Sequence, residues 1–442
     1  PNPAARVQFH KAGLYLQDEW NATEKFKLTA GIRFDGLFFD NSDLMTNNAI
    51  LALKYYDKNG NERNIDTGKW PTANLTISPR VGFSWDVMGD NSLKVRGGTG
   101  LFSGRLPLVF FTNMPTNSGM VQYQAQLNDS NLKKLGLGTM ADHFTGGLVT
   151  ENGKATIDAL LKKLHAMGYP STINPEDGAV PSSISAVDPN FKMPQVWKTS
   201  VAIDYAFPTS FPMSFSAEGI FNKTINGVTI SDWSMLPVEG FARLNGADNR
   251  PMYPSNFRTS TKAFVLENTH QGYGYSANVS FNMRPVEGLS FMAAYTHTVS
   301  KEITGMPGSA AESAFTYVPT SKGPNNIELH NSQYVTPDRV IASISHDDKC
   351  GNHFNLVYEA WRGGYNYSYM LANDMNGDGY NYDALYIPTD SEVANGDFRF
   401  VSAKDRDNFM AFVKNDKYLS KHQGQYAEAY SVYSPWVHRL DF

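Results

Sequence analysis

From Lys11 to Gly36 the sequence KAGLYLQDEWNATEKFKLTAGIRFDG carries the pattern that most restricts what this chain can fold into. Phe26, Leu28, Ala30, Ile32 and Phe34 alternate with Lys27, Thr29, Gly31, Arg33 and Asp35, so a two-residue period separates an apolar face from a polar one. A helix would mix the two sets. Upstream, Ala12, Leu14 and Leu16 share a face that Trp20 closes just before the polar turn Asn21 to Lys25, and the whole reads as a long antiparallel hairpin. Strands of about ten residues exceed the usual globular length of five or six. About nine to eleven residues is what a tilted strand needs to cross a bilayer.

The hairpin recurs. Val81, Phe83, Trp85 and Val87 lead into a turn at Gly89 to Ser92, and Leu93, Val95, Gly97, Thr99 and Leu101 lead out. Trp197 to Phe207 and Met213 to Phe221 flank a Pro208 to Pro212 turn, and Tyr273 to Met283 and Leu289 to Val299 flank Pro285 to Gly288. A fifth pair covers Arg339 to His346 and His353 to Trp361, and an eleventh strand begins near Pro435. Turns within pairs are short. Between pairs the chain makes long excursions, at about 38–77, 104–194, 224–271, 300–337 and 364–433, far beyond ordinary loop lengths. In an up-and-down barrel alternate connections fall on opposite rims, so short turns at one rim and long loops at the other match an outer-membrane barrel. The expected fold is all-β: part of an antiparallel up-and-down transmembrane barrel, about eleven strands of a larger one, with long extracellular loops.

Composition agrees with an aromatic-rich β-protein: 7 Trp, 23 Tyr, 27 Phe and 36 Gly in 442 residues, with 18% charged residues. Mean hydropathy is -0.39. No apolar run approaches the roughly 18 residues of a spanning helix, which excludes helical spans and leaves barrel strands untouched. A net charge of -5 gives no basic footprint for nucleic acid. The opening PNPAARVQFH has no basic start followed by an apolar core, so any signal peptide is expected to have been removed.

The polar strand faces carry charges of both signs, among them Lys27, Arg33, Asp35, Arg80, Asp86, Lys94, Arg96, Lys198, Asp204 and Glu218. A wet lumen accepts these, and an oily sandwich core does not. Trp20, Trp85, Trp197, Tyr205, Phe207, Trp361 and Trp436, near strand ends, suit interfacial girdles. The excursions read as polar, partly ordered loops, the longest of them with an amphipathic helix in TIDALLKKLHAMG, where Ile157, Leu160, Leu161 and Leu164 fall at helical spacing.

Few segments carry chemistry. Asp374, Asn376, Asp378 and Gly379 match the start of a calcium loop, in which alternate side chains converge and Gly permits the sharp turn, but position twelve is Leu385, so Asp383 would have to complete the set. The alternative is an Asx-rich turn that satisfies its own backbone. His346, Cys350 and His353 offer soft ligands astride a tight turn, without a fourth. RGGTGLFSGR lacks the Lys-Ser/Thr of a P-loop and lies in a strand, where its glycines allow close backbone approach. No His-Glu-x-x-His, G-x-S-x-G or CxxC site is present, so no enzyme is expected.

GLYLQDEWNATEKFKLTAGIRFD resembles the barrel hairpins of TonB-dependent outer-membrane receptors. SPRVGFSWDVMGDNSLKVRGGTGLFSGR, SKGPNNIELHNSQY, TPDRVIASISH, DMNGDGYNYDALYIPTD and SPWVHRLDF resemble the Oar-like branch found in Bacteroidetes. Such receptors join an N-terminal plug to a 22-stranded barrel. The resemblance implies an outer-membrane location with loops at the cell surface, capture of a bulky ligand, and energised release through TonB acting on a plug. It also implies contact with outer-membrane lipid and pairing with a surface lipoprotein or other protein. An alternative within the branch is a surface barrel for adhesion or outer-membrane complex assembly. This sequence shows no plug and no TonB box, and both ends look like cuts within a longer protein, so residues 1–442 are expected to be the barrel portion only.

Overall fold

The computed structural model describes residues 5–120, 128–134, 136, 138–143, 151–166, 174–363 and 366–442. Eleven long strands follow one another in chain order across a single sheet. They are β1 (Gln8–Asn21), β2 (Phe26–Asp40), β3 (Asn74–Asp86), β4 (Leu93–Ser103), β5 (Gln195–Ala206) and β6 (Met213–Asp232). Then come β7 (Tyr273–Val286), β8 (Leu289–Glu302), β9 (Asp338–Asp347), β10 (His353–Arg362) and β11 (Trp436–Asp441). Every neighbouring pair is antiparallel. Among the described residues β1 and β11 do not pair, so the sheet is open at both edges. The tightest reversal, between β7 and β8, is Glu287 and Gly288. Gly288 sits at φ +76°, and a Cβ there would meet the Asp347 carbonyl at 2.3 Å.

Register fixes the two faces, because directly opposed residues point the same way. Lys27 faces Ser84, Ser84 faces Arg96, Arg96 faces Ala202, Ala202 faces Glu218 and Glu218 faces Asn278. The adjacent row runs Phe26, Trp85, Val95, Ile203, Ala217, Val279, Tyr295 and Val340. One face is therefore wet and mixed in charge, and the other is apolar. Among the described residues nothing covers the apolar face: Leu14, Leu16 and Trp20 are 69%, 70% and 60% exposed. A water-soluble sheet would hide them against a second layer; a barrel wall turns them to lipid. No helix among the described residues is long and apolar enough to cross a membrane.

The buried apolar residues lie elsewhere, in the long connections. Phe39, at the upper end of β2, packs with Trp70, Phe111 and Phe191 from two excursions, at ring separations of 5.1 to 6.1 Å among these side chains. Met235, Tyr253, Phe264 and Phe315 extend that cluster. Above the wall β6 runs on to Asp232, well past the expected start of its loop, and pairs with the strand Lys262–Thr269, which pairs in parallel with Ser183–Val187. This small sheet is buried on both faces. Phe264, Leu266 and Val187 enter the cluster just described, whereas Ile184, Ala186, Ala263 and Val265 pack with Ile50, Tyr55, Ile65 and Trp233. Burial on both faces is why AFVL is a continuous apolar run rather than an alternating one.

The connections expected to be polar and partly ordered therefore form a packed cap with its own cores. The helix read from TIDALLKKLHAMG spans Glu151–Ala166, with Leu160 and Leu164 buried and Leu161 exposed; Met167 and Gly168 lie outside the described residues. A further core joins Val413 of the helix Ala403–Asn415 to Ile387, Leu419 and Ala427. Ser402 caps that helix, its hydroxyl accepting the Asp405 amide at 3.1 Å.

Candidate functional site

The inner wall is laced with ion pairs. Arg96 on β4 reaches Asp204 on β5 at 2.9 Å and Glu218 on β6 at 3.5 Å. Arg33 forks onto Asp35 at 2.7 and 2.8 Å, and Lys11 approaches the same carboxylate at 3.6 Å. Arg339 binds Glu359, and Arg439 binds Asp441 at 2.7 Å. The ten charged residues named from the sequence as facing one way do so, because the strand period places them there.

Where this wall meets the cap lies a cavity of about 570 Å³. Phe9, Lys11 and Tyr15 from β1, Arg33, Asp35 and Phe39 from β2, and Ser78 and Arg80 from β3 form its wall, and Arg105, Leu108 and Met193 close it from above. Gly100 makes room for Arg80: a Cβ there would meet Arg80 Cγ at 2.9 Å and the Pro79 carbonyl at 2.7 Å. The guanidinium of Arg80 consequently lies over the Phe102 ring, 4.4 Å from its centre. The glycines of RGGTGLFSGR thus serve close approach, as their strand position implied. Arg80 was legible as an inward charge; Phe9, Lys11 and Arg105 were not singled out, although the same alternation places Phe9 and Lys11 on the inner face.

On the outer face Trp20, Trp85 and Tyr205 lie toward the short turns, and Trp197 and Trp436 toward the cap. Trp361 does not join them. It sits opposite Arg339 and Val437, on the inner face, because Ala360 and Arg362 take the outward positions of β10. Polar residues interrupt the outer face near the cap, His297 and Asp338 among them: His297 Nδ1 lies 2.9 Å from Asp338, which also accepts the Tyr295 hydroxyl at 2.7 Å. Their position, level with Trp436 and Arg362, is where a polar headgroup layer replaces hydrocarbon.

Asp374, Asn376, Asp378 and Asp383 come together in one tight cap turn. Asp374 accepts the amides of Gly377, Asp378 and Gly379 at 2.7, 3.1 and 2.9 Å. Asn376 accepts the Asp378 amide at 3.0 Å, and Asp378 accepts that of Tyr380 at 2.8 Å. Asp383 accepts the Met375 amide at 2.7 Å and a hydrogen bond from Arg250 Nη1 at 2.9 Å. These bonds satisfy the turn's own backbone. Burial pushes the Asp378 carboxyl up to about 7 and raises that of Asp383 as well. Among the described residues no group of three or more His, Cys, Asp or Glu side chains is placed to hold a metal ion. His346, Cys350 and His353 lie around the β9–β10 turn, where Cys350 is exposed and His353 Nδ1 meets Asp347 at 2.7 Å.

The chain is similar to several solved structures of transporters and receptors. It shares 9% identity with "Copper transporter OprC", at a TM-score of 0.38 over 80% of this chain and 35% of that one. The FrpB iron transporter from Neisseria meningitidis gives 10% identity and a TM-score of 0.37, covering 81% of this chain and 34% of that one. The siderophore receptor PiuA from Acinetobacter baumannii gives 9% and 0.35, covering 82% and 34%. The chain spans about a third of the length of these three proteins. No curated protein matches it. The family model described as an outer membrane beta barrel domain matches residues 1–373. With a wall greasy outside and wet inside, and a match over most of its length, the chain belongs to the outer membrane beta barrel domain family.

Proposed function

We propose that this chain forms part of the barrel of a TonB-dependent outer-membrane receptor, which captures a bulky ligand at the cell surface and passes it inward. The observation that carries the reading is the packed cap above a polar wall, with a 570 Å³ cavity where the two meet. Short turns lie on the periplasmic side of outer-membrane barrels, which turns the cap toward the cell surface. A cap with its own apolar cores holds ligand-binding side chains in fixed positions, which lowers the ordering cost of binding. A plug remodelled by TonB would supply release, and the barrel would be completed by further strands at its open edges. Uptake assays in cells with and without TonB test this: accumulation that stops without TonB supports it, and accumulation that continues unchanged counts against it.

A second reading is a surface barrel of the Oar-like kind, acting in adhesion or outer-membrane complex assembly. The exposed cap aromatics Tyr317, Tyr334, Tyr367 and Phe412 favour it, since such side chains anchor protein interfaces. Here surface attachment or complex formation persists without TonB.

Calcium at Asp374, Asn376, Asp378 and Asp383 is a separate proposal, supported by the sequence spacing alone. Calorimetric titration with calcium decides it. Heat lost in Asp378→Asn supports a site, and no heat at millimolar calcium rejects it.

A further inference from the structure

Several arginines of the inner wall are neutralised by neighbouring carboxylates. Arg33, Arg96, Arg339 and Arg439 each meet a carboxylate. Arg80 and Arg105 are different. Among the described residues neither has a carboxylate within ion-pair distance, and both line the same cavity. Arg80 is half-buried, and its Nε is buried without a hydrogen-bond acceptor. Its ring partner Phe102 covers one face of the guanidinium, and Arg105, which is exposed, lies over Phe9 at 5.5 Å. Lys11 and Arg33 share the single carboxylate of Asp35, so the lining carries four cationic groups against one anionic group. Ser78 and Ser103 add hydroxyls beside them, 2.8 Å apart.

A half-buried unmatched cation such as Arg80 is costly unless an anion joins it, and a guanidinium edge fits the two oxygens of a carboxylate or phosphate in bidentate fashion. We propose that this cavity binds an oxyanion, the carboxylate or phosphate of a small-molecule ligand, through Arg80 and Arg105, with Phe9, Tyr15 and Phe39 packing the adjoining apolar part. The volume lies within the roughly 300 to 1,000 Å³ of small-molecule sites, and the cap closes it from above, which favours a compact ligand over a protein segment. The proposal rests on the receptor reading above, since it names the chemistry of the ligand that receptor would take.

The test uses the full-length receptor in detergent, with citrate and inorganic phosphate as probes, each followed by calorimetry at low and at physiological salt. Wild type is expected to bind at least one probe, more weakly at higher salt. Arg80→Gln with Arg105→Gln together should weaken binding by about tenfold or more, as expected for losing charge-assisted hydrogen bonds. Arg96→Gln, on the same wall with its charge already matched, should leave binding unchanged. Heat-modifiable gel migration confirms that each variant is folded. Absence of binding to both probes, or equal binding by the double variant, overturns the assignment, including the case in which an acidic segment of the protein fills the cavity. TonB-dependent uptake that persists alongside such a result would leave the receptor reading standing, so the two failures are distinguishable.

Discussion

Arg250 and Asp383 stand 133 positions apart in the chain, yet Arg250 Nη1 donates to Asp383 Oδ1 at 2.9 Å with the arginine side chain wholly buried. The same guanidinium binds Asp248 through Nε and Nη2 and the Ala384 carbonyl through Nη2, and lies over the Tyr426 ring. One side chain thereby ties the excursion after β6 to the excursion after β10. Arg250→Ala strands two buried carboxylates and should destabilise the cap by about 3–5 kcal/mol. The expected readout is chymotrypsin cutting near residues 240–260 and 370–390, where Phe241, Tyr253, Tyr380 and Tyr386 offer sites, at lower temperature, with the heat-modifiable migration of the barrel unchanged. Equal protease resistance in the variant would show that the clamp is dispensable.

The pH response of the same region follows from Asp378, whose carboxyl is pushed up to about 7 by burial. Its unfolded value lies near the ordinary carboxylate range of about 4. The folded turn therefore binds its proton more tightly, so local stability should fall as pH rises from about 4 through about 7 and be lowest above that. Hydrogen exchange of residues 374–384 should accelerate over this window in wild type. Asp378→Asn should flatten the profile and slow exchange at pH 8. A wild-type profile as flat as the variant's would reject the assignment.

Val201 and Ser200 are chain neighbours on opposite faces of β5: Val201 sits opposite Gly97 and Gly219, and Ser200 opposite Gly98 and Ile220. Val201→Arg should cost about 2–4 kcal/mol if the strand's outer face lies at mid-bilayer. Ser200→Arg should be close to neutral. Refolding into lipid vesicles, titrated with urea, separates the two, and similar losses would mean that the faces are wrongly assigned.

Phe111 tests whether the cap is a packed unit. It is fully buried against Phe39, Trp70 and Phe191. Phe111→Ala should remove about 3–5 kcal/mol of local stability. Near-ultraviolet circular dichroism should show the cap melting earlier while the strand signal in the far ultraviolet persists. Simultaneous loss of both signals would instead tie cap and wall into one cooperative unit.

The wall was legible because its period is local: once Phe26, Leu28 and Ala30 alternate with Lys27, Thr29 and Gly31, antiparallel pairing carries the same division from strand to strand. Trp361 escaped because a strand-end aromatic carries no mark of its face until the register of β9 and β10 is known. The cap was largely invisible. Trp70, Phe111, Phe191, Phe264 and Phe315 come from separate stretches with no common period, and their contacts exist only after the wall has brought the excursions together. The cavity was half legible: alternation turned Arg80 and Arg33 inward, but only packing placed Arg105 over Phe9. Around Asp374 and Asp383 the side chains accept amides of their own turn, as the Asx-rich alternative for this stretch describes.

The molecule sorts its oily side chains in opposite senses on two storeys: outward along the strands, inward through the cap. The level at which that polarity inverts, near Trp197 and Trp436, marks the waterline of the membrane along the chain itself. A detergent belt should therefore grip the lower storey and leave the upper one behaving as a water-soluble globule that happens to stand on a greasy pedestal.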